Sequence, residues 1–163
     1  MSDKKYQFFI SSTYENLKHE RKAVEETLIR AGDIPVGMEA FPAADEEQFD
    51  FIKTVINECD YYLLIIAGRY GSEAPDGKSY TEKEYQYAIE KDIPVLIFIH
   101  DDRDSLPVSK TDNDQQKKEK LEKFIEIVST NRVRKSWNTA DALKLSVREA
   151  IDHAKKPNQD LDG

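Results

Sequence analysis

The sequence predicts a three-layer α/β domain built on a five-stranded parallel sheet. Three observations carry that reading. Five short runs rich in β-branched and aromatic residues alternate with longer segments whose apolar residues recur every three or four positions. Two of the runs, Tyr61 to Ala67 and Pro94 to His100, are almost continuously apolar, as strands covered on both faces must be. The length of 163 residues suits one core better than two. Right-handed crossovers then place helices on both sides of the sheet. The expected strand order is 2-1-3-4-5, which opens a crevice between strands one and three at their carboxyl ends.

The first strand is read from Tyr6 to Ser11. Tyr14, Leu17, Arg21, Val24, Leu28 and Ala31 follow at helical spacing, with Ser12 as cap, Glu15 completing a capping box and Gly32 as stop. Arg21 interrupts this apolar stripe, and its aliphatic stem is expected to lie along it. Ile34 to Phe41 reads as the second strand. An acidic stretch, Asp45-Glu46-Glu47, then opens a helix carrying Phe49, Ile52, Ile56 and Cys59 on one face. The third strand ends at Gly68, and a turn-rich loop runs to Tyr80 with Pro75-Asp76-Gly77 as its clearest turn. A helix is expected from after Thr81 to about Lys91, with Tyr85, Ala88 and Ile89 inward. Asp101 to Asp114 shows dense charge without periodicity and is expected to be a mobile loop. Leu121, Phe124, Ile125 and Val128 mark the next helix, Val133 to Trp137 a short fifth strand, and Leu143, Val147, Ile151 and Ala154 the last helix. One domain is expected over residues 1–156, with a frayed polar tail at 157–163.

Composition narrows the function. The 32 acidic residues exceed the 24 basic ones, for a net charge of −8, which disfavours binding to nucleic-acid polymers. A local basic pocket for one small phosphate is still compatible with that charge. No run is long enough to cross a bilayer as a helix, and the amino terminus lacks the apolar core of a signal peptide, so a cytoplasmic protein without membrane attachment is expected. Cys59 is the only cysteine, which excludes an internal disulfide. It is expected to pack in the core rather than act as a nucleophile. His19, His100 and His153 lack ligand spacing, and neither a metal site nor a tightly bound cofactor is expected. His100 reads as a strand-end turn residue and Trp137 as packing over the sheet edge.

Ligand-binding groups are expected in the loops after the strands. Ser11, Ser12 and Thr13 suit a cradle for phosphate or ribose at the first helix end, or a simple helix cap. Gly68-Arg69-Tyr70-Gly71 allows close approach of a ligand, with Arg69 offering its charge to a phosphate. Phe41 follows strand two. Glu84, near the start of its helix, is the candidate for catalysis, with Tyr80 and Tyr85 positioned to stack on a ring. Its competing role is structural: Thr81-Glu82-Lys83-Glu84 has the spacing of a capping box, with Glu84 as its last member. On spacing alone, capping is favoured. The glycine-rich fingerprints of triphosphate and dinucleotide sites are absent from the sequence.

Phe8-Phe9-Ile10-Ser11-Ser12-Thr13-Tyr14-Glu15-Asn16-Leu17 and Glu20-Arg21-Lys22-Ala23-Val24 resemble the opening of the DUF4062 family. Gly68 to Gly71 and Ser79 to Tyr85 extend that match over most of the first hundred residues. The family often forms an amino-terminal module of larger signalling or defence-like proteins, and here it is expected to stand alone. More distantly, Phe9-Ile10-Ser11 is similar to the first strand of TIR domains. Thr81-x-x-Glu84-x-x-x-Ala88 resembles the segment of nucleoside 2-deoxyribosyltransferases that holds their catalytic glutamate. Tyr80 and Gln86 stand where that pattern has glycines.

The resemblance implies a flavodoxin-like sandwich and cleavage or transfer at a ribosyl N-glycosidic bond of NAD or a related nucleoside. In that reading Glu84 attacks or stabilises the anomeric carbon, and NAD is substrate rather than cofactor. Ser11, Ser12, Thr13, Phe41, Gly68, Arg69, Tyr70, Gly71, Tyr80, Thr81 and Tyr85 would line the site. The alternative is a non-catalytic module that senses a nucleotide, associates with itself or binds a partner protein.

Overall fold

A computed structural model describes residues 5–13, 17–37, 45–130 and 134–155. Five parallel strands, β1 (Gln7–Ser11), β2 (Ile34–Val36), β3 (Tyr61–Ile66), β4 (Val95–His100) and β5 (Arg134–Trp137), form one sheet in the order β2-β1-β3-β4-β5. This is the expected flavodoxin-like order. Its crossovers are α1 (Lys18–Arg30), α2 (Glu46–Asn57), α3 (Tyr80–Glu90) and α4 (Gln115–Ser129), and α5 (Ala140–Lys155) follows the last strand.

Side-chain alternation divides the core in two. Phe8 and Ile10, Leu63 and Ile65, Leu96 and Phe98 meet Val24 and Leu28 of α1 and Leu143, Val147 and Ile151 of α5. The intervening residues, Phe9, Tyr62, Leu64, Ile66, Ile97 and Ile99, meet Ile52 and Ile56 of α2, Tyr85 and Ala88 of α3, and Phe124 and Val128 of α4. Cys59 lies just past the end of α2 and packs in this second layer. Burial pushes its thiol up to about 12, so it is a neutral packing group. By the same alternation Ser11, two residues beyond Phe9, belongs to the α2–α3–α4 side. Among the described residues no helix is long and apolar enough to cross a membrane.

Helix starts are where the sequence expectations fail most. Asp45 and Thr139 cap α2 and α5 as their types suggest, accepting from the backbone nitrogens of Gln48 and Ala142. The first helix, however, begins at Lys18 with no side-chain cap at Leu17. Ser12 lies well before it and accepts instead from Arg21 Nη1 at 3.0 Å. Glu15 lies outside the described residues, as do Phe41 and most of the stretch expected to continue strand two.

The segment after β4 also departs from expectation. It forms two short 3-10 turns, Arg103–Ser105 and Val108–Lys110, and is fastened to the end of β3. Gly68 and Thr111 form an isolated parallel bridge, Asp112 N donates to Gly68 O at 3.2 Å, and the buried Asp112 carboxylate accepts from Tyr70 N at 2.8 Å. Charge density misled here, because one acid, Asp112, is turned inward to satisfy a loop amide. A β-carbon at Gly68 would lie 2.5 Å from Lys110 O and 2.8 Å from Thr111 Cγ2. Gly68→Ala is therefore expected to lose about 1–3 kcal/mol of stability in urea denaturation. It should also speed proteolysis within residues 101–112. An unchanged urea midpoint would show that the contact yields freely.

Candidate functional site

The route to the site runs through the cap of α3. Tyr80 N donates to Ser72 O at 2.9 Å, and Ala74 N to Lys78 O at 2.8 Å, which closes the β3–α3 loop and leaves Ser79 in extended backbone. Ser79 Oγ then accepts from Glu82 N at 3.1 Å. The capping pair is thus Ser79 and Glu82, two residues earlier than the Thr81–Glu84 box read from spacing. Glu82 is further engaged by the Tyr70 hydroxyl and by Gln86 Nε2. Glu84 lies beyond the cap and faces the sheet.

There it meets the carboxyl end of β1. Ser11 Oγ donates to Glu84 Oε1 at 2.8 Å, with Ser11 2% and Glu84 9% exposed. Burial raises the Glu84 carboxyl from its ordinary 4.5 to about 7, although the Ser11 hydrogen bond and the Arg21 charge both pull it down. At neutral pH this group is divided between acid and carboxylate. Arg21 reaches the same strand end from α1: Nη1 donates to Ile10 O at 3.1 Å and to Ser12 Oγ. Its guanidinium fits because residue 37 is glycine, since a β-carbon there would collide with Arg21 Nη2. Tyr62 is fully buried on the same face of the sheet, and burial pushes its phenol well above the ordinary tyrosine range, with the Glu84 charge raising it further and Arg21 pulling it down.

The remaining candidates separate into three groups. Gly71 has φ of +102°, and a β-carbon there would sit 3.0 Å from Thr13 Cγ2 and 3.5 Å from Thr81 Oγ1. This glycine draws Thr13 and Thr81 together, so Ser11, Ser12, Thr13, Gly71, Thr81 and Glu84 gather at the β1 and β3 ends. Gly68, Arg69 and Tyr70 turn toward the 101–112 segment instead. Arg69 Nη2 donates to Ser109 O, and its buried Nε has no hydrogen-bond partner. The Tyr70 ring packs edge-on against Phe124. The third group is aromatic core: Tyr80 packs on Phe49 at 6.0 Å between centroids, and Tyr85 lies between Tyr62 and Phe124. His100 and Trp137 meet edge to face at 4.8 Å, and the strand register puts them on the opposite side of the sheet from Glu84. Among the described residues no three His, Cys, Asp or Glu side chains are grouped to hold a metal ion.

Residues 7–152 match the family described as "Domain of unknown function (DUF4062)". The chain belongs to this family. No curated protein matches the sequence. Solved structures that share the fold of the DUF4062 domain include the following two. One is the Clostridium botulinum CMP N-glycosidase BcmB, with a TM-score of 0.52 and 13% identity, covering 91% of this chain and 98% of that one. The other is the translation elongation factor SelB from Methanococcus maripaludis in complex with a GTP analogue, with a TM-score of 0.57 and 12% identity. That match covers 96% of this chain and 36% of the factor's.

Sequence reasoning missed Arg21, Gly37 and Tyr62 in this DUF4062 site. The signal for Arg21 was present: a charge inside an apolar helical stripe is buried only where something polar receives it. The raised Glu84 pKa has a thermodynamic consequence. Between about pH 4.5 and pH 7 the folded protein holds a proton that the unfolded chain has released, so stability falls as pH rises through that window. The full loss is of order 3 kcal/mol. Glu84→Gln removes this titration, so its melting temperature should gain on the parent's between pH 5 and pH 8. Parallel curves for the two proteins would show that Glu84 titrates normally.

Proposed function

We propose that this DUF4062 domain cleaves or transfers a ribosyl N-glycosidic bond of a nucleotide, with NAD as a candidate substrate and Glu84 as the reacting carboxylate. The observation that carries the reading is the Glu84–Ser11 pair. A carboxyl group that caps nothing is buried at the crevice end of β1, with its pKa brought to about 7. The fold likeness to a CMP N-glycosidase supports the reaction class, as do the resemblances of Phe9-Ile10-Ser11 to TIR domains and of Thr81 to Ala88 to deoxyribosyltransferases.

In this mechanism the ionised Glu84 attacks the anomeric carbon, or faces its developing positive charge, while the base departs with the bonding electrons. Water or an acceptor hydroxyl then takes the ribosyl group. Nicotinamide, leaving from a pyridinium, departs neutral without protonation. That suits a site where the neighbouring acid, Glu82, is committed to Tyr70 and Gln86. Ser11, Ser12, Thr13, Gly71 and Thr81 supply hydroxyls and backbone to the sugar and phosphate.

A second reading is a non-catalytic nucleotide-sensing or protein-interaction module in signalling or defence, and the position of Arg69 favours its protein-interaction form. Its guanidinium is engaged by Ser109 O rather than presented to the crevice. Chromatography of NAD, NADP, CMP and deoxynucleosides incubated with the protein separates the two. The enzyme reading expects base release that falls at least about 100-fold in Glu84→Gln, with kcat/KM rising with pH through about 7 as the carboxylate forms. Binding without turnover across all substrates favours the sensing module. A rate that falls through the same pH range would make Glu84 an acid and overturn its role as nucleophile.

A further inference from the structure

Among the described residues, Glu20 Oε1, Arg69 Nε and Trp137 Nε1 are buried side-chain atoms without a hydrogen-bond partner. All three belong to the carboxyl edge of the sheet on its α1–α5 face. Leu17, Ala67 and Trp137 mark that edge as members of one apolar cluster, and Leu106 packs against it. Glu20 stands three residues after Leu17, in the first turn of α1. Arg69 stands two residues after Ala67, and its neighbour Tyr70 packs in the opposite layer, so Arg69 keeps the face of Ala67. Trp137 ends β5, is 3% exposed, and meets the ring of His100 at the end of β4. The ends of β1, β3 and β5 lie within about 14 Å of one another, at about 4.8 Å per strand. Most buried indole N–H groups find an acceptor, and a phenylalanine at position 137 would leave none wanting.

The three atoms specify a chemistry. Arg69 Nε and Trp137 Nε1 donate, and Glu20 Oε1 accepts. The Arg69 and Glu20 atoms are complementary, yet they are not joined to each other. A phosphate bound here would set an anion beside Glu20, and an ammonium would set a cation beside Arg69. A neutral group that offers an N–H next to an acceptor atom meets neither conflict. We propose that this corner binds a neutral heteroaromatic base with such an edge, as in the carboxamide of nicotinamide or the amine edge of cytosine and adenine. The N–H of the base donates to Glu20 Oε1, and its acceptor faces the Arg69 and Trp137 donors. Leu17, Leu106 and the edge-to-face pair of His100 and Trp137 supply the apolar wall that a ring requires. The bond from Arg69 Nη2 to Ser109 O steadies the guanidinium without using Nε. This corner and Glu84 occupy opposite faces of one sheet edge and share the ends of β1 and β3. Its role as the base subsite of the enzyme rests on the N-glycosidase reading, whereas binding of a free base does not.

Trp137 is the only tryptophan, so its indole N–H gives a single resonance in a nitrogen–proton NMR spectrum. The test titrates the parent, Glu20→Ala and Arg69→Met with nicotinamide, cytosine, adenine, pyridine and inorganic phosphate. At least one of the three bases is expected to move the indole proton downfield in a saturable way. Glu20→Ala should weaken that base about 10-fold or more, the scale of one hydrogen bond to a charged group. Pyridine has an acceptor but no N–H, and it should bind at least as much more weakly. An indole resonance unmoved by all three bases means that solvent alone meets these atoms, which overturns the proposal. Equal affinity for pyridine, or an affinity untouched by Glu20→Ala, overturns it as well, because the donor–acceptor edge is then not what is read. Displacement of the base by phosphate would make the corner an anion site and also ends the proposal. Should Glu20→Ala fail to fold, Arg69→Met must show the same loss, and unchanged binding in it counts against the site. The titration needs no turnover. Base binding in a protein that cleaves no nucleotide keeps the site and removes the enzyme reading, and cleavage with an unmoved indole resonance does the reverse.

Discussion

The crevice end of the sheet is organised around a carboxyl group held out of water at the end of β1. Glu84 receives one hydrogen bond from Ser11 and the field of Arg21, and together they do not offset the cost of burying its charge. Each partner imposes a demand elsewhere. Ser11 must end its strand on the α3 side of the sheet, a parity set by Phe9. Arg21 must cross from α1 toward that strand end, which needs Gly37 and takes Ser12 and Ile10 O as acceptors. The parallel order that places β1 beside β3 brings these obligations together, because both strands release their loops on the same edge.

The loop after β3 does two jobs. Its first half, Gly68 to Tyr70, anchors the 101–112 segment through backbone contacts and the inward Asp112 carboxylate. Its second half closes on itself and delivers Ser79 as the cap of α3. Lys120 of α4 binds Glu73 and Gly77 O, linking the outside of that loop to the neighbouring helix. The helix carrying Glu84 is therefore fixed in rotation by contacts that involve neither Glu84 nor Ser11. That support holds Glu84 opposite Ser11 whatever the charge on its carboxyl group.

The strands and the faces of the helices were legible because hydrophobic periodicity is local and strongly patterned. Tyr61 to Ala67 admits little but a central strand, and Phe49, Ile52 and Ile56 define one side of α2 without help from the rest of the chain. The cap of α3 was not legible in the same way. Ser79-x-x-Glu82 and Thr81-x-x-Glu84 offer the same spacing two residues apart, and nothing local chooses between them. The choice belongs to Ser72, which accepts from Tyr80 N, and to Tyr70, which engages Glu82 from another segment. Ser12 misled for a related reason: a hydroxyl near a helix start is a cap only if no stronger donor claims it, and Arg21 does.

By itself, then, the sequence determined the alternating layers and proposed the parallel strand order that the sheet adopts, together with the short set of loops that follow the strands. It also marked Ser11, Arg69 and Glu84 as residues to follow. Tertiary structure decided what became of them. Arg69 went to Ser109, the Glu82 carboxylate to Tyr70 and Gln86, and Glu84 to Ser11 beside a guanidinium that the helical pattern treated as an interruption. Periodicity is written in neighbours along the chain, whereas desolvation and charge pairing depend on segments dozens of residues apart. A carboxyl group acquires a pKa near 7 only when those segments close around it.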